Sequence, residues 1–176
     1  MRGLSVIAAV LALVAAGCTG TSSPNTTAPS TAAVNPTFTA SLSPANEVPP
    51  VTNAEASVVG AATITFITTK DGAGNITAAT ATFAVTLSGF PAGSAVSAAH
   101  IHEGATTCAC PVVISTGLAA GQVGVSGGLA SFTQTGIAAD PAVAQRVIAN
   151  PAGFYFNVHT TLNGGGVARG VLVKLQ

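Results

Sequence analysis

The sequence predicts an all-β fold, an antiparallel, Greek-key-like β-sandwich or flattened barrel of about eight strands with one short helix. Three observations predict it. Small and β-branched residues dominate the 176-residue chain, which has 20 Gly, 10 Pro, one Met and no Trp, a composition that favours strands and tight turns over helices. Segment after segment alternates apolar with polar residues, the period of a sheet with one buried face. One stretch opens on Asp140-Pro141, a helix start with Asp as N-cap and Pro at the first helical position.

Taken in order, residues 37–42 put Phe38, Ala40 and Leu42 on one face and read as the first strand. Residues 44–50 stay irregular, because Pro49-Pro50 offers no N–H to a ladder. A long strand over residues 58–69 carries Ala62, Ile64 and Phe66 as its apolar row. Asp71-Gly72-Ala73-Gly74-Asn75 signals a turn. Residues 76–88 then return with Ala81, Phe83, Val85 and Leu87 on one side and Thr80, Thr82 and Thr86 on the other, completing the clearest hairpin. After Phe90-Pro91, a strand is expected at 96–103, a short apolar one at 111–115, and one or two more within 121–134. Val143, Val147 and Ile148 form the apolar stripe of the helix, which Asn150-Pro151 ends. Two strands close the chain, at 154–160 and 167–175, joined by Leu162-Asn163-Gly164-Gly165-Gly166.

The first 36 residues read differently. Arg2 precedes an apolar run over residues 4–16, too short to span a bilayer and suited to the core of a secretory signal. The run ends in Val14-Ala15-Ala16-Gly17-Cys18, which resembles the lipobox of bacterial lipoproteins, with Cys18 as the lipidated residue. An ordinary cleaved signal is the alternative. The expected organisation is a signal peptide over 1–17, lipidated Cys18 with a disordered Ser/Thr/Pro-rich tether over 18–36, and a β domain over 37–176. Extended as polyproline II, that tether would reach about 55 Å. The expected location is the bacterial cell envelope, extracytoplasmic, with the membrane engaged through two or more acyl chains.

Charge narrows the partners. Five basic residues balance five acidic ones, at 6 % charged overall, and loss of Arg2 with a signal would leave four against five. No basic footprint exists, so nucleic acid is excluded as a partner. A protein or surface partner stays open.

Two of the three histidines lie in Ala98-Ala99-His100-Ile101-His102-Glu103-Gly104, and the third in Phe154-Tyr155-Phe156-Asn157-Val158-His159-Thr160. Strand alternation puts His100 and His102 on one face and Ile101 on the other, and Tyr155, Asn157 and His159 opposite Phe154, Phe156 and Val158. If the aliphatic and Phe rows face a core, all three imidazoles face out of it. Such a trio can hold one zinc or copper ion. It can equally pin two strands, the imidazoles bonding Asn157, Glu103 or loop carbonyls. Glu103 is a candidate fourth ligand or an outer orienting or structural group, its phase on the strand counting against direct ligation. Arg169, in phase with Val171, Val173 and Leu175, reads as the end of an inward row, paired with Glu47 or Glu103. Cys108 and Cys110 are expected to form a disulfide outside the cytoplasm, with thiolate ligation of copper(I) or zinc as the alternative. Gly124-Val125-Ser126-Gly127-Gly128 matches a nucleophile elbow, and Ser126, Asp140 and His159 fall in hydrolase order. That elbow needs a parallel strand before it and a helix after it, and neither is predicted. No catalytic residue is assigned.

Asn46-Glu47-Val48-Pro49-Pro50-Val51, His100-Ile101-His102-Glu103-Gly104, Asn150-Pro151, Tyr155-Phe156-Asn157-Val158-His159-Thr160 and Ala168-Arg169-Gly170 together resemble the CHRD domain. That domain was named from chordin and recurs in many bacterial secreted proteins. The resemblance covers about residues 37–175 and implies a secreted β-sandwich without a settled biochemical activity. Cys108-Ala109-Cys110 departs from the Gly- and Asn-containing loop usual there. His-Ile-His-Glu-Gly is also similar to the His-Val-His segment of copper/zinc superoxide dismutases, although three histidines cannot supply both metals of such a site. The expectation is a lipid-anchored binding or structural module at the cell surface. The alternative is a mononuclear copper or zinc binding or redox protein using His100, His102 and His159.

Overall fold

A computed structural model describes residues 35–175. The signal, Cys18 and nearly all of the tether lie outside the described residues. Among the described residues, nine strands form two antiparallel sheets. One sheet has the order β6-β3-β2-β1-β9 and the other β5-β4-β7-β8, where β1 is Thr37–Leu42, β2 Val59–Lys70, β3 Ile76–Ser88, β4 Val96–Glu103, β5 Val112–Ser115, β6 Leu129–Ala139, β7 Phe154–Thr160, β8 Ala168–Val171 and β9 Val173–Lys174. One helix, α1 at Pro141–Ala149, packs against β3. This is the all-β sandwich the alternation predicts.

The core forms where the period-2 rows meet. Phe38, Ala40 and Leu42 of β1, Ala62, Ile64 and Phe66 of β2, and Ala81, Phe83, Val85 and Leu87 of β3 are buried from one side. Ala99 and Ile101 of β4, with Phe156 and Val158 of β7, meet them from the other. Phe83 and Phe156 stack across the two sheets, centroids 5.8 Å apart. Full burial of each such side chain contributes about 1.5–3 kcal/mol. Asp140 caps α1 as its sequence position predicts, Oδ1 accepting the N–H groups of Ala142 at 2.8 Å and Val143 at 3.1 Å.

Two strand boundaries are corrected. β6 begins later and runs farther than 121–134, because Gly136, at φ +66°, accommodates a bulge opposite Thr82 that keeps pairing going to Ala139. Ahead of β6, Gly127 and Gly128 both have positive φ, and Ser126 and Leu129 exchange backbone hydrogen bonds across them, a tight turn rather than a nucleophile elbow. The closing strand divides at the buried Leu172: β8 pairs with β7, and β9 crosses to β1 in the other sheet.

Candidate functional site

The outer face of the four-stranded sheet carries the polar residues. Across β4 and β7, Ala98 pairs with His159, His100 with Asn157 and His102 with Tyr155, while Ile101 pairs with Phe156 on the core side. Across β7 and β8, Asn157 pairs with Arg169. Directly opposed residues share a face, so Arg169 sits with the histidines and not on an inward row. Val171, Val173 and Leu175, its supposed core companions, are exposed.

That outer face is not open. All seven residues of β7 are buried, because loops fold over it. Tyr155 donates its hydroxyl hydrogen to the Cys108 carbonyl at 3.1 Å and accepts the Cys110 N–H at 3.1 Å. Arg169, 2 % exposed, gives Nε–H to Glu47 Oε2 at 2.7 Å and Nη1–H to the Cys108 carbonyl at 2.8 Å. Its Nη2 lies 2.6 Å from the same carboxylate oxygen. Gly166, at φ +133°, sits where a Cβ would come 2.6 Å from Asn157 Nδ2 and equally crowd Glu47. Burial, the larger influence, raises the Glu47 carboxyl above its ordinary range, against the lowering effect of Arg169 and Asn157.

Beneath this cover the three imidazoles meet. Each can offer a ring nitrogen, and the three nitrogens lie within 4.8 Å of one another. His102 and His159 are buried at 7 % and 9 % exposure, and His100 is part-buried. His102 Nδ1 lies 2.7 Å from the Cys110 carbonyl oxygen, and His159 Nδ1 lies 3.0 Å from that of Gly164. A carbonyl only accepts, so both Nδ1 atoms carry hydrogen and both Nε2 atoms keep a lone pair. His102 Nε2 is buried without a partner. His159 Nε2 lies 3.2 Å from His100 Nδ1, which donates to it. Burial, then the charges of His159 and His102, depresses His100 to about 4. Burial first, with Arg169 adding to it, lowers His102 and His159 against the opposing carbonyl bonds.

Neutral imidazoles with Nδ1–H held by a carbonyl and a lone pair on Nε2 are in ligand form, and of the two Nε2 atoms that of His102 is unpartnered. Tetrahedral bonds of about 2.0–2.1 Å place ligand nitrogens roughly 3.3 Å apart. The present spacing, up to 4.8 Å, is within about 1.5 Å of that. Among the described residues this is the one such convergence of His, Cys, Asp or Glu. Glu103 does not join it: both its oxygens bond Arg146 of α1, at 2.9 and 2.8 Å on the solvent side. Asn157 lies beside the cluster, its amide atoms unpartnered. Cys108 and Cys110 are bonded to each other, Cα atoms 5.2 Å apart.

Sequence reasoning missed Glu55. This side chain is fully buried, and its Oε2 accepts from Thr160 Oγ1 and Asn163 Nδ2, each at 2.6 Å. It secures the turn that presents the Gly164 carbonyl to His159. An acid in an irregular segment has no period to betray its burial, although its rarity in this chain was a signal.

Fold and site define an antiparallel β-sandwich with a roofed polar cluster on the outer wall of its smaller sheet. The chain belongs to the CHRD domain family, whose pattern it matches over residues 38–172. No curated protein and no solved structure matches it.

Proposed function

We propose that this chain is a lipid-anchored module of the bacterial cell envelope whose CHRD sandwich binds one copper or zinc ion through His100, His102 and His159. One observation carries the metal reading: two buried imidazoles spend their Nδ1–H on backbone carbonyls, which leaves a lone pair on each Nε2, and ring nitrogens of all three histidines lie within 4.8 Å of one another. Outer carbonyl partners of this kind fix tautomer and ring orientation at metal sites. The anchor rests on the apolar run and Cys18, and the surface location follows from it. The expected test result is one copper or zinc per chain in protein purified without a histidine tag, lost on His102→Ala; metal-free protein whose melting temperature ignores both ions would refute the metal site.

A second reading is favoured by the hydrogen bond from His100 to His159, which joins β4 to β7 with no ion. There the histidines are pins in a binding or structural module. His159→Ala would then lower stability equally with and without metal.

A further inference from the structure

The loop closed by Cys108 and Cys110 supplies four contacts to the histidine wall. The Cys110 carbonyl takes the His102 Nδ1–H, the Cys110 N–H reaches the Tyr155 hydroxyl, and the Cys108 carbonyl accepts from both Tyr155 and Arg169. A bridge across a single residue removes little freedom from the unfolded chain compared with one closing a long loop. Its weight is therefore local: it fixes the turn that directs both carbonyls onto the sheet. Gly104, at φ +143°, makes room for it, since a Cβ there would stand 2.9 Å from Cys108 Sγ and collide with Cys110 Sγ. Both cysteines are part-exposed and Ala109 between them is exposed, so a small reductant can reach the sulfurs.

We propose that the Cys108–Cys110 bond is a redox switch on the metal affinity of the histidine site, an inference that rests on the three-histidine reading above. A dithiol reductant attacks one sulfur through its thiolate, forming a mixed disulfide and releasing the other cysteine. Its second thiol then displaces the first cysteine. The S–S bond of the protein breaks and one forms within the reductant, with two electrons and two protons passing to Cys108 and Cys110. The opened loop no longer holds the Cys110 carbonyl against His102, the ring loses its fixed tautomer, and the ion loses an oriented ligand. Removal of an outer partner costs about 10–100-fold in metal affinity.

The test compares zinc affinity of the full chain in its oxidised form and after treatment with dithiothreitol, which is then removed under argon and the thiols counted. The expected result is affinity about 10–100-fold weaker after reduction, restored by reoxidation. Cys108→Ser/Cys110→Ser should bind like the reduced form and ignore reductant; if that variant does not fold, the two redox forms of the native chain carry the comparison. Equal or tighter zinc binding after reduction overturns the switch. A second readout needs no metal: nitrogen-15 spectra of the His102 ring should show one Nδ1–H tautomer when oxidised and a mixture when reduced. If neither form binds zinc and the oxidised chain binds no copper either, the three-histidine reading has failed, and an unchanged His102 ring on reduction would separately overturn the coupling.

Discussion

His102 stacks face to face on Tyr155, the ring centroids 4.7 Å apart and the planes within 4° of parallel. Arg169 lies over the same tyrosine ring, its guanidinium carbon 4.7 Å from the centroid. This stack ties the cluster to the loop above it, because the Tyr155 hydroxyl bonds backbone groups of both Cys108 and Cys110.

Tyr155→Phe keeps the stack and removes the hydroxyl. The Cys110 N–H and one bond to the Cys108 carbonyl lose their partner, at an expected cost of about 1–3 kcal/mol. Chemical denaturation reads the loss. Hydrogen exchange should place the added mobility in residues 105–111, while β1, β2 and β3 keep native protection.

Glu47 and Arg169 form an ion pair buried on both sides. Arg169→Met leaves the carboxylate without its main counter-charge and should destabilise by about 3–5 kcal/mol. Glu47→Gln combined with Arg169→Met should lose much less than the sum of the two single changes, since no buried charge then stands alone. A double-mutant cycle that proves additive would dispose of this pairing as a source of stability.

How far the chain announced this arrangement varies by element. β3 and β4 were legible to the residue because unbroken alternation pins both register and face. The helix was legible because Asp140-Pro141 performs one local task. β6 was misjudged because the bulge at Gly136 interrupts the alternation, so the period does not run through to Ala139. The face of Arg169 was misread because Val171 and Val173, though apolar, are exposed, while small Ala168 occupies the buried side. Phase put the three histidines on the outer side of their strands and so permitted a cluster; the pairing of β4 with β7 is what brings them together. The roof over them was not legible from phase, since Glu47, Glu55 and the cysteine loop are drawn in by contacts more than 40 residues away in sequence.

The histidines also set an acid limit. His100 is depressed from 6.5 to about 4, and His102 and His159 shift the same way. Between those values the unfolded chain binds protons that the metal-free fold refuses. Stability therefore rises with pH in this window and is lost as pH falls from about 6.5 toward about 4. The raised Glu47 carboxyl acts oppositely, so comparison with His100→Gln isolates the histidine part: the variant should show a shallower slope of unfolding free energy against pH.

Glu55→Ala frees Thr160 and Asn163 and relaxes the turn that presents the Gly164 carbonyl. Loss of that outer support should weaken metal binding by about 10–100-fold without removing a ligand. Glu103→Gln, which breaks only the surface pair with Arg146, should leave metal affinity unchanged. Equal effects from the two substitutions would contradict the distinction between buried support and surface pairing.

Calorimetric titration of zinc and of copper into metal-free, oxidised protein is the most direct trial of the convergent histidines. Saturation is expected at one ion per chain, abolished in His102→Ala and in His159→Ala. Absence of saturable binding by the native protein, or binding that persists at full affinity in both variants, would mean that these three rings are structural pins and hold no ion.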